Sequence, residues 1–165
     1  MVKIKVVIDN KQKTVKIPTG IRLLMRRCCH AVLQLEQFDG SAEVDISIVD
    51  NEQIHVINRE HRKVDAPTDV LSFPLGENGV YDINPATGAK LLGDIVISIE
   101  QAAVQAERFG HTLQREVGYL TVHSMLHLLG YDHVDGGLSA VRMREREEAV
   151  MKQVGLPRGE SYVME

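Results

Sequence analysis

Residues 121–133 read T-V-H-S-M-L-H-L-L-G-Y-D-H, and the reading of that stretch decides the rest of the chain. Its apolar run predicts a buried helix, on which His123 and His127 project from one face, one turn apart. Two imidazoles so placed can converge on one metal ion. Gly130 stands where such a helix stops, because glycine takes the left-handed cap conformation without steric cost. The turn after it can carry His133 back toward the other two. Three neutral imidazoles with an open fourth position are the ligand pattern of a catalytic zinc ion, whereas structural zinc sites are closed and rich in cysteine. The competing reading is three unrelated histidines, and their crowding into eleven residues around a helix stop argues against it. In the H-E-x-x-H pattern of zinc peptidases a glutamate beside the first histidine acts as general base. Here that position is Ser124, so peptide hydrolysis by that route lacks its base.

Outward from this stretch, Thr112 can cap the histidine-bearing helix, expected from about Leu113 through Gly130. Before it, Ser98 can cap a helix running to about Phe109 and ending at Gly110; after it, Leu138 to Gln153 is amphipathic and charged. Leu91 to Ser98 is a nearly all-apolar strand suited to the middle of a sheet. Gly76 to Lys90, rich in glycine, proline and asparagine, reads as an exposed hairpin or flap. Val70 to Leu75 is a strand behind a proline-bounded loop at Asp65 to Asp69. Asp50 is an N-cap for a short helix through about Arg62, and Glu43 to Val49 a strand. Ile21 to Leu35 repeats apolar residues at helical spacing, with Pro18 suiting the helix start. Residues 2–9 alternate as a half-buried strand, and Thr14 to Ile17 is expected to pair back as a second strand or a strand extension. The expected fold is α+β: a single mixed β-sheet of about four strands flanked by about five helices, one domain over residues 1–165, with the two histidines on a zincin-like metal helix.

Composition narrows the function. There is no run of about 18 apolar residues to span a membrane, and the strand-like N-terminus lacks a signal-peptide cleavage pattern, so a cytoplasmic protein is expected. Cys28 and Cys29 are adjacent, a spacing that suits neither a disulfide nor a redox or zinc-knuckle motif; two reduced core thiols on a helix are expected. The net charge of −4 is unevenly spread. Residues 1–35 carry Lys3, Lys5, Lys11, Lys13, Lys16, Arg22, Arg26 and Arg27 against Asp9, a balance of +7 that leaves −11 for residues 36–165. Such asymmetry permits a basic face that tracks phosphates, and equally a solvated lysine-rich surface.

The eleven residues H-S-M-L-H-L-L-G-Y-D-H resemble the signature H-G-x-L-H-L-x-G-Y-D-H of the YbeY family of bacterial endoribonucleases, with Ser124 replacing the glycine. Two further blocks are similar to that family: I-N-R-E-H-R-K-V-D-A-P-T-D-V-L-S-F at residues 57–73, where His61 replaces the usual tyrosine, and L-G-D-I at residues 92–95. The resemblance spans residues 57–133. It implies a metal-dependent, single-strand-specific endoribonuclease holding one Zn2+ through His123, His127 and His133, with Arg62 beside them and His123 and Arg62 as the catalytic pair. It also implies ribosomal RNA as the substrate, in maturation of the 3′ end of the small-subunit RNA and ribosome quality control, with the ribosome or its small subunit as partner. The chemistry suits Arg62: cleaving a phosphodiester develops charge on the nonbridging oxygens, and a guanidinium holds two of them in a fork. Ser72 could line a substrate groove, with Phe73 expected in the core. Asp132 could accept a histidine N–H and fix its tautomer, and Asp69 could brace the strand entering the site or take part in catalysis. With no tryptophan, four tyrosines and three phenylalanines, base stacking cannot be the chief source of RNA affinity. Two other readings stay open: a noncatalytic ribosome-assembly factor whose metal only pins residues 113–133, and a metal hydrolase of a smaller substrate.

Overall fold

The computed structural model describes residues 3–132 and 137–156. In chain order the elements are β1 (Lys3–Asn10), α1 (Ile21–Leu35), β2 (Ser41–Val49), α2 (Asn51–Arg62), β3 (Val70–Pro74), β4 (Lys90–Ser98), α3 (Ile99–Phe109), α4 (Leu113–Leu128) and α5 (Gly137–Gln153). The strands form one mixed sheet in the order β1-β2-β4-β3. β1, β2 and β4 are parallel, and β3 is an edge strand antiparallel to β4. The expected α+β class therefore holds, with four strands and, among the described residues, five helices.

Period-two burial puts alternate side chains of the strands on opposite faces. On one face Val6, Val44, Ile46, Ile48, Ile95 and Ile97 pack with Ile21, Met25, Val32 and Leu33 of α1, with Val117, Leu120 and Met125 of α4, and with Met143 and Val150 of α5. Burying each such aliphatic side chain contributes about 1.5–3 kcal/mol before entropy is counted. On the other face α2 sends Ile54 against Val49, Leu71 and Val96. Cys28 and Cys29 lie in the main core as free thiols, and burial pushes the Cys28 thiol up to about 12.

Helix starts follow their caps. Asp50 accepts from Gln53 N while the Gln53 side chain takes Asp50 N–H, a reciprocal capping box. Ser98 and Thr112 cap α3 and α4 by accepting from Gln101 N and Arg115 N. α1 begins three residues after Pro18, behind Gly20 in the left-handed conformation, with no side-chain cap. Gly93 has φ 144° within a β-bulge, and a Cβ there would meet the Phe73 carbonyl oxygen at 2.3 Å. The L-G-D-I block thus needs its glycine so that β3 can lie close to β4.

One expected strand is absent. Thr14 to Ile17 does not pair with the sheet. The Gln12 side chain instead takes both backbone groups of Val15, its Nε2 donating to Val15 O at 2.9 Å and its Oε1 accepting from Val15 N at 2.8 Å. A side-chain clamp replaces the ladder that the alternation suggested. Residues 76–90 form turns with two isolated bridges, Glu77 to Val80 and Ile83 to Lys90. Their anchors are Tyr81, which donates to Leu128 O, and Asn84 and Thr87, which donate to Glu43.

Candidate active site

α4 is buried along nearly its whole length, with twelve of its 16 residues out of solvent, so its polar side chains must be satisfied within the protein. His123 and His127 come together as their spacing requires, with ring centroids 4.7 Å apart and planes at 75°. The Nε2 atoms of both rings are buried. His123 Nδ1 lies 2.5 Å from Glu147 Oε2 of α5. An ionised carboxylate only accepts, so in this contact Nδ1 is the donor, which leaves Nε2 as the nitrogen a neutral ring would offer to a ligand. Glu147 Oε1 in turn accepts from the Tyr119 hydroxyl at 3.1 Å, one helical turn before His123. Burial, and then the Glu147 charge, push the Tyr119 phenol well above its ordinary range, which keeps it a donor.

Among the described residues no group of three or more histidine, cysteine or acidic side chains could hold a metal ion. His133, the expected third ligand, lies outside them. The two described donors do suit a metal: both are imidazoles, one turn apart and buried, and one has its Nδ1 engaged by a carboxylate, so that Nε2 is the nitrogen left to ligate.

β3 joins the remaining candidates. Arg62, the last residue of α2, donates from a guanidinium nitrogen to the Ser72 carbonyl at 2.5 Å and lies 5.3 Å over the Phe73 ring. His61 stacks edge-on against that ring at 5.6 Å. Ser72 is only 2% exposed, so what it offers Arg62 is its carbonyl. α4 packs along the same strand, its Leu128 beside Gly93 and the Phe73 carbonyl. At the strand's other end the fully buried Asp69 accepts from Val70 N at 2.8 Å and from Gln105 Nε2 at 3.4 Å. Gln105 reaches Glu116 at 3.0 Å, and Glu116 holds His111 at 2.6 Å. Asp132 is exposed just after the helix stop.

The carboxylate on His123 is thus Glu147, which the sequence reading did not single out. A signal was present: Glu147 occupies the inward stripe of α5 between Met143 and Val150–Met151, where an acid needs a buried partner. Ser124, at the family's glycine position, is fully buried, and its hydroxyl makes no hydrogen bond among the described residues.

A pair of imidazoles one turn apart on a buried helix, with a carboxylate on the first ring, is the candidate site of this α+β protein. The comparisons are more specific. The family model described as "Endoribonuclease YbeY" matches residues 7–155, and the chain belongs to that family, which makes it an enzyme of the nuclease class. It is 48% identical to the Endoribonuclease YbeY of Caldanaerobacter subterraneus subsp. tengcongensis over 93% of this chain and 99% of that one. To that of Alkaliphilus metalliredigens it is 44% identical over 94% and 98% of the two chains. To that of Chloroflexus aggregans it is 49% identical over 82% and 88%. The solution structure of TM1509 from Thermotoga maritima shares the fold, with a TM-score of 0.59 and 24% identity over 90% of this chain and 91% of that one. Among the described residues no helix is long and apolar enough to cross a membrane.

Proposed function

We propose that the chain acts as a single domain, a metal-dependent endoribonuclease that cuts single-stranded RNA in the cytoplasm, with small-subunit ribosomal RNA as substrate and the ribosome as partner. Its reactions on this reading are maturation of that RNA's 3′ end and cleavage of defective ribosomal RNA. The observation that carries the proposal is the buried His123–His127 pair with Glu147 on the first ring's Nδ1. His123, His127 and His133 would hold one ion, and their nitrogen-only donor set suits zinc. When bound, the ion supplies Lewis acidity toward a phosphoryl oxygen and lowers the pKa of a ligated water. Glu147 keeps the proton on His123 Nδ1 and holds the ring against rotation. Arg62, held at the Ser72 carbonyl, would meet the nonbridging oxygens of the cleaved phosphodiester. Ser72 serves by holding that guanidinium, and Asp69 by bracing the start of β3.

The test is cleavage of a single-stranded oligoribonucleotide by metal-stripped protein reloaded with zinc, beside His127→Ala and Arg62→Ala. Wild type should cut, and each variant should lose roughly a hundredfold or more of the rate. Cleavage unchanged in both variants would mean a contaminating nuclease and end the proposal. A sharp drop in melting temperature for His127→Ala, with RNA intact in every sample, would make the metal purely structural.

A further inference from the structure

Away from the histidines, a groove of about 390 Å3 opens between β1, α1 and the end of α5. Its lining includes Arg26, Arg27, His30 and Gln34 of α1 and Gln153 of α5, with no carboxylate among the lining residues. Arg26 and Arg27 are exposed, and Arg22, one turn before Arg26, extends the same charge along the helix. Among the described residues, none of these three arginines is paired with a carboxylate. Gln153 donates to Gln34 at 3.3 Å, which sets the two amides side by side at the groove wall. Charge alone decorates many surfaces. Here two guanidiniums, an imidazole and two amides face one concavity from two helices, in a protein whose first 35 residues carry +7 against a total of −4.

We propose that this groove is a second contact for the phosphodiester backbone of the RNA substrate, distinct from the histidine site and resting on the nuclease reading only for the identity of the polyanion. Guanidiniums grip phosphate oxygens in a fork, and the amides add neutral donors. Recognition of this kind is blind to base identity and does not call on aromatic side chains, of which the chain has few. α5 links the two places. Glu147 touches His123, and Gln153, six residues further along, stands at the groove, a separation of about 9 Å along the helix axis.

The experiment measures binding of the full chain to a fluorescein-labelled single-stranded oligoribonucleotide by anisotropy, with chelator present so that no strand is cut, across a salt series. Arg26→Gln with Arg27→Gln is compared with wild type and with Lys13→Gln plus Lys16→Gln, an equal loss of exposed charge outside the groove. The groove variant should bind about tenfold more weakly. Its dependence of log K on log salt should be shallower by roughly 1.4, at about 0.7 per lost phosphate contact for single strands, while the lysine variant stays near wild type. An unchanged slope in the groove variant, or an equal loss in the lysine variant, overturns the proposal. Cleavage by metal-loaded wild type reports separately on the nuclease reading, because binding is scored without it.

Discussion

The two ends of α4 are built from the same pair of side chains and put them to different ends. At its N-terminus Glu116 holds His111 at 2.6 Å; two turns on, Glu147 holds His123 at 2.5 Å. All four side chains are almost wholly out of solvent. From Glu116 the hydrogen bonds lead through Gln105 to Asp69 and so to the backbone of β3, tying loop, helix and strand together. From Glu147 they lead through His123 to a second imidazole 4.7 Å away, whose other neighbour in the proposed site is a metal ion. A buried histidine–carboxylate pair is therefore no marker of function in itself. What lies on the far side of the imidazole decides whether it is scaffold or site.

Substitutions at the two glutamates should separate these roles. Glu116→Ala leaves His111 and Gln105 facing a buried gap and should cost about 3 kcal/mol in urea unfolding, or roughly 6–12 °C in Tm. Glu147→Gln keeps the shape of its side chain, and its main effect should fall on metal affinity, weakened about 10–100-fold in competition with a chelator, with a smaller loss of Tm than Glu116→Ala. Equal destabilisation by both variants with metal affinity intact would erase the distinction. Ser124→Ala, next to His123, removes a buried hydroxyl that makes no hydrogen bond among the described residues and should stabilise the fold by about 1 kcal/mol. A loss of stability there would reveal a role for the hydroxyl.

The smallest effect is expected at Asp94, a carboxylate set opposite Asp45 in the β2–β4 register rather than beside a histidine. Burial, then the Asp45 charge, raise its carboxyl above the ordinary range. Its ionised form thus opposes folding at neutral pH, and that opposition fades as the pH falls through the raised folded value and then the ordinary one. Asp94→Asn should raise Tm slightly at about pH 7 and lose that advantage below about pH 4. A gain that persists in acid would show that the charge is not its source.

What local chemistry determines could be read from the sequence. The bounds of α1, the caps at Asp50, Ser98 and Thr112, and the facing of His123 and His127 each depend on residues within a turn or two of one another. The reading failed at Thr14 to Ile17, where strand alternation is present but Gln12 takes the backbone groups a sheet partner would have used. It also passed over Glu147. That glutamate lies 24 residues from His123 on a different helix, and only the docking of α5 brings them together. Arg62 enters the expected site only through the block around residues 57–73, and its hold on the Ser72 carbonyl depends on β3 being in place.

The position of Glu147 in the chain has a consequence for synthesis. Translation delivers α4 with both its imidazoles well before the helix that carries Glu147, and domains form from the N-terminus as they emerge. A chain cut short between the two has both described imidazoles of α4 but lacks the carboxylate that meets His123 Nδ1. On the proposed reading, such an unfinished polypeptide would be a weak scavenger of metal and a poor cutter of RNA, and competence would arrive only as α5 docks.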